Sequence, residues 1–175
     1  MANLADVHDR LQPALLDRLT DQAPQSRTEA EDTRVMSKSQ LRQAVLRDLN
    51  WLFNATQSLP PSAQALPQLG SSVLNFGMPP LSGQLASKLE VVQLEKIIRQ
   101  ALLRFEPRIL ADTLEVRALE SSSVLDTHNV IEFDIRGHLW SQPVPLEMLL
   151  RTQLDLEAGL VSVRELASVH SKQLR

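Results

Sequence analysis

Across residues 129–159 apolar and polar side chains alternate almost without interruption. Ile131, Phe133, Ile135 and Leu139 share one parity, and Glu132, Asp134, Arg136 and His138 share the other. Leu146, Met148, Leu150, Leu154 and Leu156 then share a parity opposed by Glu147, Arg151, Gln153, Asp155 and Glu157. A period of two is what a strand with one buried face requires, because successive side chains leave opposite faces. Trp140, Ser141, Gln142 and Pro143 separate the two runs, and neither Pro143 nor Pro145 can donate to a ladder. The pattern predicts two antiparallel strands, one face on a core and one charged face toward water or a partner. A weaker alternation over 114–119 predicts a strand before them.

Upstream the period changes. Leu4, Val7, Leu11, Leu15 and Leu19 lie three or four apart and predict a short amphipathic helix, broken near Pro13. Residues 20–35 are polar and predict a mobile linker. Ser37 or Ser39 is placed to cap a helix over 40–55, whose apolar stripe is Leu41, Val45, Leu49, Leu52 and Phe53. Trp51 lies off that stripe. It is either a contact residue on a second surface or a side chain covered by the loop that follows.

Residues 56–83 hold Pro60, Pro61, Pro67, Gly70, Gly77, Pro79, Pro80 and Gly83, so no regular helix crosses them. Within this stretch SSVLNFGMPPL is apolar enough to fold against the body. Helical spacing returns over 85–105: Leu85, Leu89, Val92, Ile97, Ala101 and Phe105 form a face broadened by Leu94, Ile98, Leu102 and Leu103. Glu95 and Arg99 are spaced to pair on its exposed side, and Pro107 ends it. After the strands, 164–175 reads as a polar tail, helical or frayed. Helices followed by strands make an α+β fold, with N-terminal helices packed on one face of a small antiparallel β-meander. One domain is expected over 37–163, between an N-terminal helix and linker (1–36) and the tail (164–175).

Charge and composition narrow the chemistry. A net charge of −3 supplies no long-range attraction for nucleic acid or an anionic membrane, so neither is expected as a partner. With no cysteine there is no disulfide framework and no thiolate metal site. The opening MANLADVHDR lacks the order of a signal peptide, and no window approaches the roughly 20 apolar residues that span a bilayer, so a cytosolic protein is expected. Aromatics are 3% of the residues, too few to favour a ligand pocket. His128 and His138 have no third ligand at regular spacing. His8 and His170 lie near the ends and form no pattern. Nucleophile elbows, phosphate loops and dinucleotide fingerprints are absent from the sequence. Neither a cofactor nor a metal is expected.

Two features remain. Glu132, Asp134, Glu147, Asp155 and Glu157 share a sheet face, and a suitably spaced pair could cleave a glycosidic bond, as in a peptidoglycan-cleaving enzyme. Arg136 and Arg151 are interleaved with them, and pairing across strands explains the pattern without catalysis. Arg151 is kept as a contact candidate. The second feature is Glu106-Pro107-Arg108, between the long helix and the first strand. It is either a helix stop with solvated charges or a rigid charged corner that loses little entropy on docking.

The segments PALLDRLTD, LRQAVLRDLNWLFNA, SVLNFGMPPL, the Glu106-Pro107-Arg108 triplet, EFDIRGHLW and PLEMLLRTQLDLEAG occur in an order that resembles one family. That family is the small type VI secretion baseplate subunits (the TssE family), a branch of the contractile-phage baseplate wedge proteins once labelled lysozyme-like. Phe53 departs from it where a leucine is expected, a change compatible with a core position. The resemblance implies a structural rather than enzymatic role, as one subunit of each wedge in a sixfold baseplate beside TssF, TssG and TssK. It implies a cytoplasmic position at the inner face of the membrane and templating of the TssB–TssC sheath. It also implies that Glu106, Pro107 and Arg108 hold the subunit to the wedge. A short sheet with an open edge could accept a partner's arm by strand addition. The first strand (114–119) or the last (146–156) would form that edge.

Overall fold

A computed structural model describes residues 13–21, 24–26, 36–59, 66–80, 88–119 and 130–166. Helix α1 is Leu15–Leu19, α2 is Lys38–Asn54, α3 is a single turn at Pro67–Gly70, and α4 is Lys88–Phe105. Four strands follow: β1 Glu115–Ala118, β2 Val130–Leu139, β3 Leu146–Asp155 and β4 Leu160–Glu165. They pair antiparallel in the order β1-β2-β3-β4. This is the expected α+β meander, with helices preceding the sheet. Residues 4–12 of the helix expected over 4–19, most of the 20–35 linker, and His8, His128 and His170 lie outside the described residues.

The two long helices form for different local reasons. Ser37 closes a capping box on α2: its hydroxyl accepts from the Gln40 N–H, and the Gln40 side chain accepts from the Ser37 N–H. Ser37, not Ser39, is therefore the cap. Ser37→Ala should cost about 1 kcal/mol, read as a lowered midpoint in urea unfolding. From α2, Leu41, Ala44, Val45, Leu49, Leu52 and Phe53 are buried, which matches the sequence stripe.

The buried side of α4 is Leu94, Ile98, Ala101 and Leu102. All four belong to the expected face, and Ile97 and Phe105 pack partly buried against the core. Val92 and Leu103 are exposed, so the face is narrower than expected, while the side chains of Leu85 and Leu89 lie outside the described set. Nor does Glu95 serve Arg99 in the manner expected. Its Oε1 accepts the backbone N–H of Ala118 at 2.6 Å, tying the helix to β1. Sequence spacing located the helix, but where the sheet lies decided which apolar residues face inward.

The alternation over 129–159 places its apolar parity inside. Phe133, Ile135 and Leu139 from β2 and Met148, Leu150 and Leu154 from β3 are buried against the helices. Across the opposite face Asp134 stands opposite Arg151, Glu132 opposite Gln153, and His138 opposite Glu147. Leu156 is buried but lies beyond β3, in the turn to β4. That turn is set by Asp155, whose Oδ1 accepts the N–H groups of Glu157 and Ala158 at 2.8 and 2.9 Å. Gly159 closes it at φ 66°, a left-handed conformation that glycine adopts without steric cost.

β4 corrects two expectations. Arg164 and Glu165 belong to a strand rather than to a polar tail, and β3 is an interior strand rather than the edge. The edges are β1 and β4. The sequence signal was present, since Val161 and Val163 alternate with Ser162 and Arg164 directly after a glycine turn.

In the described part of the proline-rich segment, residues 75–78 fold against the body as expected, while Val73 and Leu74 are exposed. Met78 is buried, and Phe76 meets Phe105 edge-on with ring centroids 5.4 Å apart. Met78 donates its N–H to the Ala55 carbonyl and Gln57 donates to the Met78 carbonyl, both at 2.8 Å, which clamps the loop to the end of α2.

Candidate docking surface and sheet edges

The Glu106-Pro107-Arg108 triplet sits where α4 ends, and the chain after it is pinned to β2. Trp140 donates its N–H to the Arg108 carbonyl at 2.7 Å, and Leu110 donates to the His138 carbonyl at 2.9 Å. The corner is therefore rigid in its main chain. Its side chains are not solvated charges. Glu106 is 3% exposed. Arg108 grips it with two parallel bonds, Nε to Oε1 at 2.7 Å and Nη2 to Oε2 at 2.5 Å, the geometry that a planar guanidinium makes best.

The same Nη2 reaches Asp48 Oδ2 at 2.6 Å on α2. Burial by itself would lower the Arg108 pKa; the hydrogen bonds and charges of Glu106 and then Asp48 outweigh it and hold it above the ordinary value. Arg108 stays a cation at any pH where the fold survives.

Asp48 extends the network. Its Oδ1 accepts Arg47 Nε at 2.9 Å, and Arg47 Nη1 reaches Asp17 Oδ1 on α1 at 2.5 Å. The Asp17 hydrogen bond is the largest influence raising the Arg47 pKa, opposed by partial burial and helped by Asp48. The Arg47 guanidinium carbon lies 5.3 Å from the centre of the Trp51 ring, close enough for a cation–π contact. Trp51 is 52% exposed, and the loop that follows α2 does not cover it. One run of contacts thus joins Trp51, Arg47, Asp48, Arg108 and Glu106, with Pro107 exposed at the apex of the triplet.

Sequence reasoning named Trp51 and the triplet but missed Arg47 and Asp48, which connect them, and Asp17, which braces Arg47. The only local signal was Arg47 four residues before Trp51 on one helix. Arg151 is not part of this cluster. It lies on the outer sheet face, bonded to Asp134 at 2.9 and 3.3 Å. The Asp134 hydrogen bond raises the Arg151 pKa most, offset in part by burial.

Two of the outer-face carboxylates have partners of this kind. Asp134 is held by Arg151, and Glu132 accepts Gln153 Nε2 at 2.5 Å. The apolar crevice lined by Phe53, Met78, Ile98, Phe133, Thr152, Leu154 and Val161 holds no titratable group. Among the described residues no three His, Asp or Glu side chains are grouped to hold a metal, and no helix is long and apolar enough to cross a membrane.

Both sheet edges are partly closed by side chains. On β4, Asn54 Oδ1 accepts the Val161 N–H at 2.9 Å and its Nδ2 donates to the Val161 carbonyl at 2.7 Å. On β1 the Ala118 N–H is the one taken by Glu95. Residues 39–144, more than half of the chain, match the family described as baseplate wedge protein gp25.

The chain belongs to the gp25 baseplate wedge family. Its role is that of a structural component of a phage-tail-like baseplate. The matched segment begins inside α2 and ends before β3, so it contains Trp51, Asp48 and the triplet but neither β3 nor β4. Comparison with curated proteins and with solved structures finds no match.

Proposed function

We propose that this wedge-family chain is the small baseplate subunit of a type VI secretion system and has no enzymatic activity of its own. It joins TssF, TssG and TssK through the surface formed by Trp51 and the Glu106-Pro107-Arg108 corner, and it templates the TssB–TssC sheath by strand addition at a sheet edge. Six copies serve one baseplate at the cytoplasmic face of the inner membrane. Arg151 belongs to a separate contact on the outer sheet face.

The observation that carries this reading is the coupling of an exposed tryptophan to a buried, ion-paired corner. Tryptophan is the residue type most often found to dominate an interface when it is held rigidly and flanked by shape-defining polar contacts. Here its ring is braced by Arg47, which is fixed in turn by Asp17 and Asp48. Little side-chain entropy remains to be lost on docking.

The test is co-purification of the full chain with co-expressed wedge subunits. Trp51→Glu should reduce recovered partner at least about tenfold, the effect of removing one aromatic anchor. Its thermal melt should stay within a few degrees of the parent, because the ring is half exposed. Undiminished recovery with this variant would remove Trp51 from the interface.

A further inference from the structure

We infer that the outer edge of β4 is a socket, two residues long, for an extended partner segment alternating apolar with acidic side chains, and that Asn54 sets where the segment stops. This rests on the strand-addition reading above and selects between the two edges that reading leaves open.

In antiparallel pairing every second residue turns both main-chain groups toward its neighbour, and those between turn theirs outward. Leu166 donates to the Leu149 carbonyl at 2.9 Å, which puts Arg164 and Ser162 on the inner side and Val161, Val163 and Glu165 on the outer. On β1, Leu119 donates to the Glu132 carbonyl at 2.8 Å, so Val116 and Ala118 face outward. Glu95 already occupies the Ala118 N–H. Among the described residues that leaves β1 a single outward donor, at Val116.

β4 offers more, up to a limit. The Asn54 amide carries the same donor and acceptor pair as a peptide group, and it stands at Val161 where a fifth strand would otherwise run. Val163 and Glu165 form no outward main-chain hydrogen bond among the described residues. Among the described residues two N–H groups and two carbonyls are thus open in a row, with a side chain blocking the next position.

The flanking side chains select the occupant. α2 runs along β4 with Arg42 paired to Glu165 at one end and Asn54 bound to Val161 at the other. Leu46, on the helical ridge between them, is partly buried against the core, as is Val163. An incoming residue beside Val163 therefore meets hydrocarbon. The next incoming residue turns to the outer face beside Arg164, whose side chain is 59% exposed. The nearest acid, Glu132 Oε1, is 4.0 Å from Arg164 and is already hydrogen-bonded by Gln153. An acidic residue there completes a cross-strand charge pair; a basic one is repelled. Because the family match ends at residue 144, this edge is read from this chain alone.

Backbone amide NMR of the full chain tests both edges at once. The probes are a capped six-residue peptide alternating valine with glutamate and its valine–lysine counterpart. The glutamate peptide should shift the Val163 and Glu165 amides and leave Val161 and Val116 in place. The lysine peptide should bind roughly fivefold more weakly, the scale of a cross-strand charge pair. In Arg164→Glu the preference should reverse, and in Asn54→Ala the Val161 amide should join the responding set.

Equal binding of the two peptides, or an unchanged preference in Arg164→Glu, overturns the proposal. So does protection of Val163 and Glu165 before peptide is added, which assigns the edge to a second copy or to residues 167–175. A response confined to Val116 also overturns it, yet keeps strand addition and moves it to β1. Silence at both edges removes strand addition as well, while the Trp51 experiment stands independently.

Discussion

Arg108→Ala should destabilise the isolated chain by about 3–5 kcal/mol, the cost of leaving one member of a buried ion pair without its partner. The exposed partner in this pair is not the one that suffers. Arg108 retains some contact with water, whereas the Glu106 carboxylate is buried and would keep only the backbone N–H of residue 108, at 3.2 Å. Removing the acid instead is milder: in Glu106→Gln the guanidinium keeps Asp48 and partial solvation, so the loss should be nearer 1–2 kcal/mol, roughly that of one charge-assisted hydrogen bond. Arg108→Lys should fall between them, because a point charge cannot span both carboxylate oxygens. Thermal unfolding followed by circular dichroism reads the order directly. A drop of roughly 6–20 °C is expected for Arg108→Ala in a chain of this size. If Glu106→Gln proves as costly as Arg108→Ala, the buried carboxylate is not what the arginine serves. The result also bears on assembly. A charge reversal at Arg108 should disturb the fold and the proposed docking surface together, so Trp51 is the cleaner probe of docking.

Gly77→Ala should also be severe, on the order of 3–5 kcal/mol, combining backbone strain with lost loop hydrogen bonds. Gly77 has φ 125°, a region that residues with a Cβ rarely occupy. A Cβ there would lie 2.4 Å from the Ala55 carbonyl oxygen, a backbone atom that cannot swing away. The same carbonyl accepts the Met78 N–H, and Met78 is part of the core. Relieving the clash therefore means lifting Met78 out of its place beside α2. Hydrogen exchange should show the Met78 and Gln57 amides losing protection before the strands do. Gly70 is the control: a Cβ there meets nothing within 4 Å, so Gly70→Ala should be nearly silent.

Particular residues show how far the sequence reaches. The parity of Ile131 through Leu156 placed two strands and their buried faces because side-chain direction in a strand depends only on position along the chain. The start of α2 was legible only as Ser37 or Ser39; the structure selects Ser37, whose capping box with Gln40 closes within one turn. β4 escaped because Arg164 and Glu165 read as solvated charges. Glu165 is instead paired with Arg42, which lies 123 residues away in the sequence. Glu95 offers the same lesson: spacing paired it with Arg99, but β1 presented a backbone donor that a local rule does not see. In the candidate docking surface, Trp51 and the triplet were visible as unusual residues. Their connection through Arg47 and Asp48 was not.

What the sequence determined alone is everything governed by the period of the chain and by short-range capping: the helix–helix–meander order, the inward face of β2 and β3, the start of α2 and the stop at Pro107. Only the tertiary structure decided how much of the apolar face of α4 is buried, which strands are edges, and which polar side chains close them. Those outcomes depend on donors and acceptors brought together from distant positions, where a buried carboxylate or an open strand edge takes whatever partner the packing supplies.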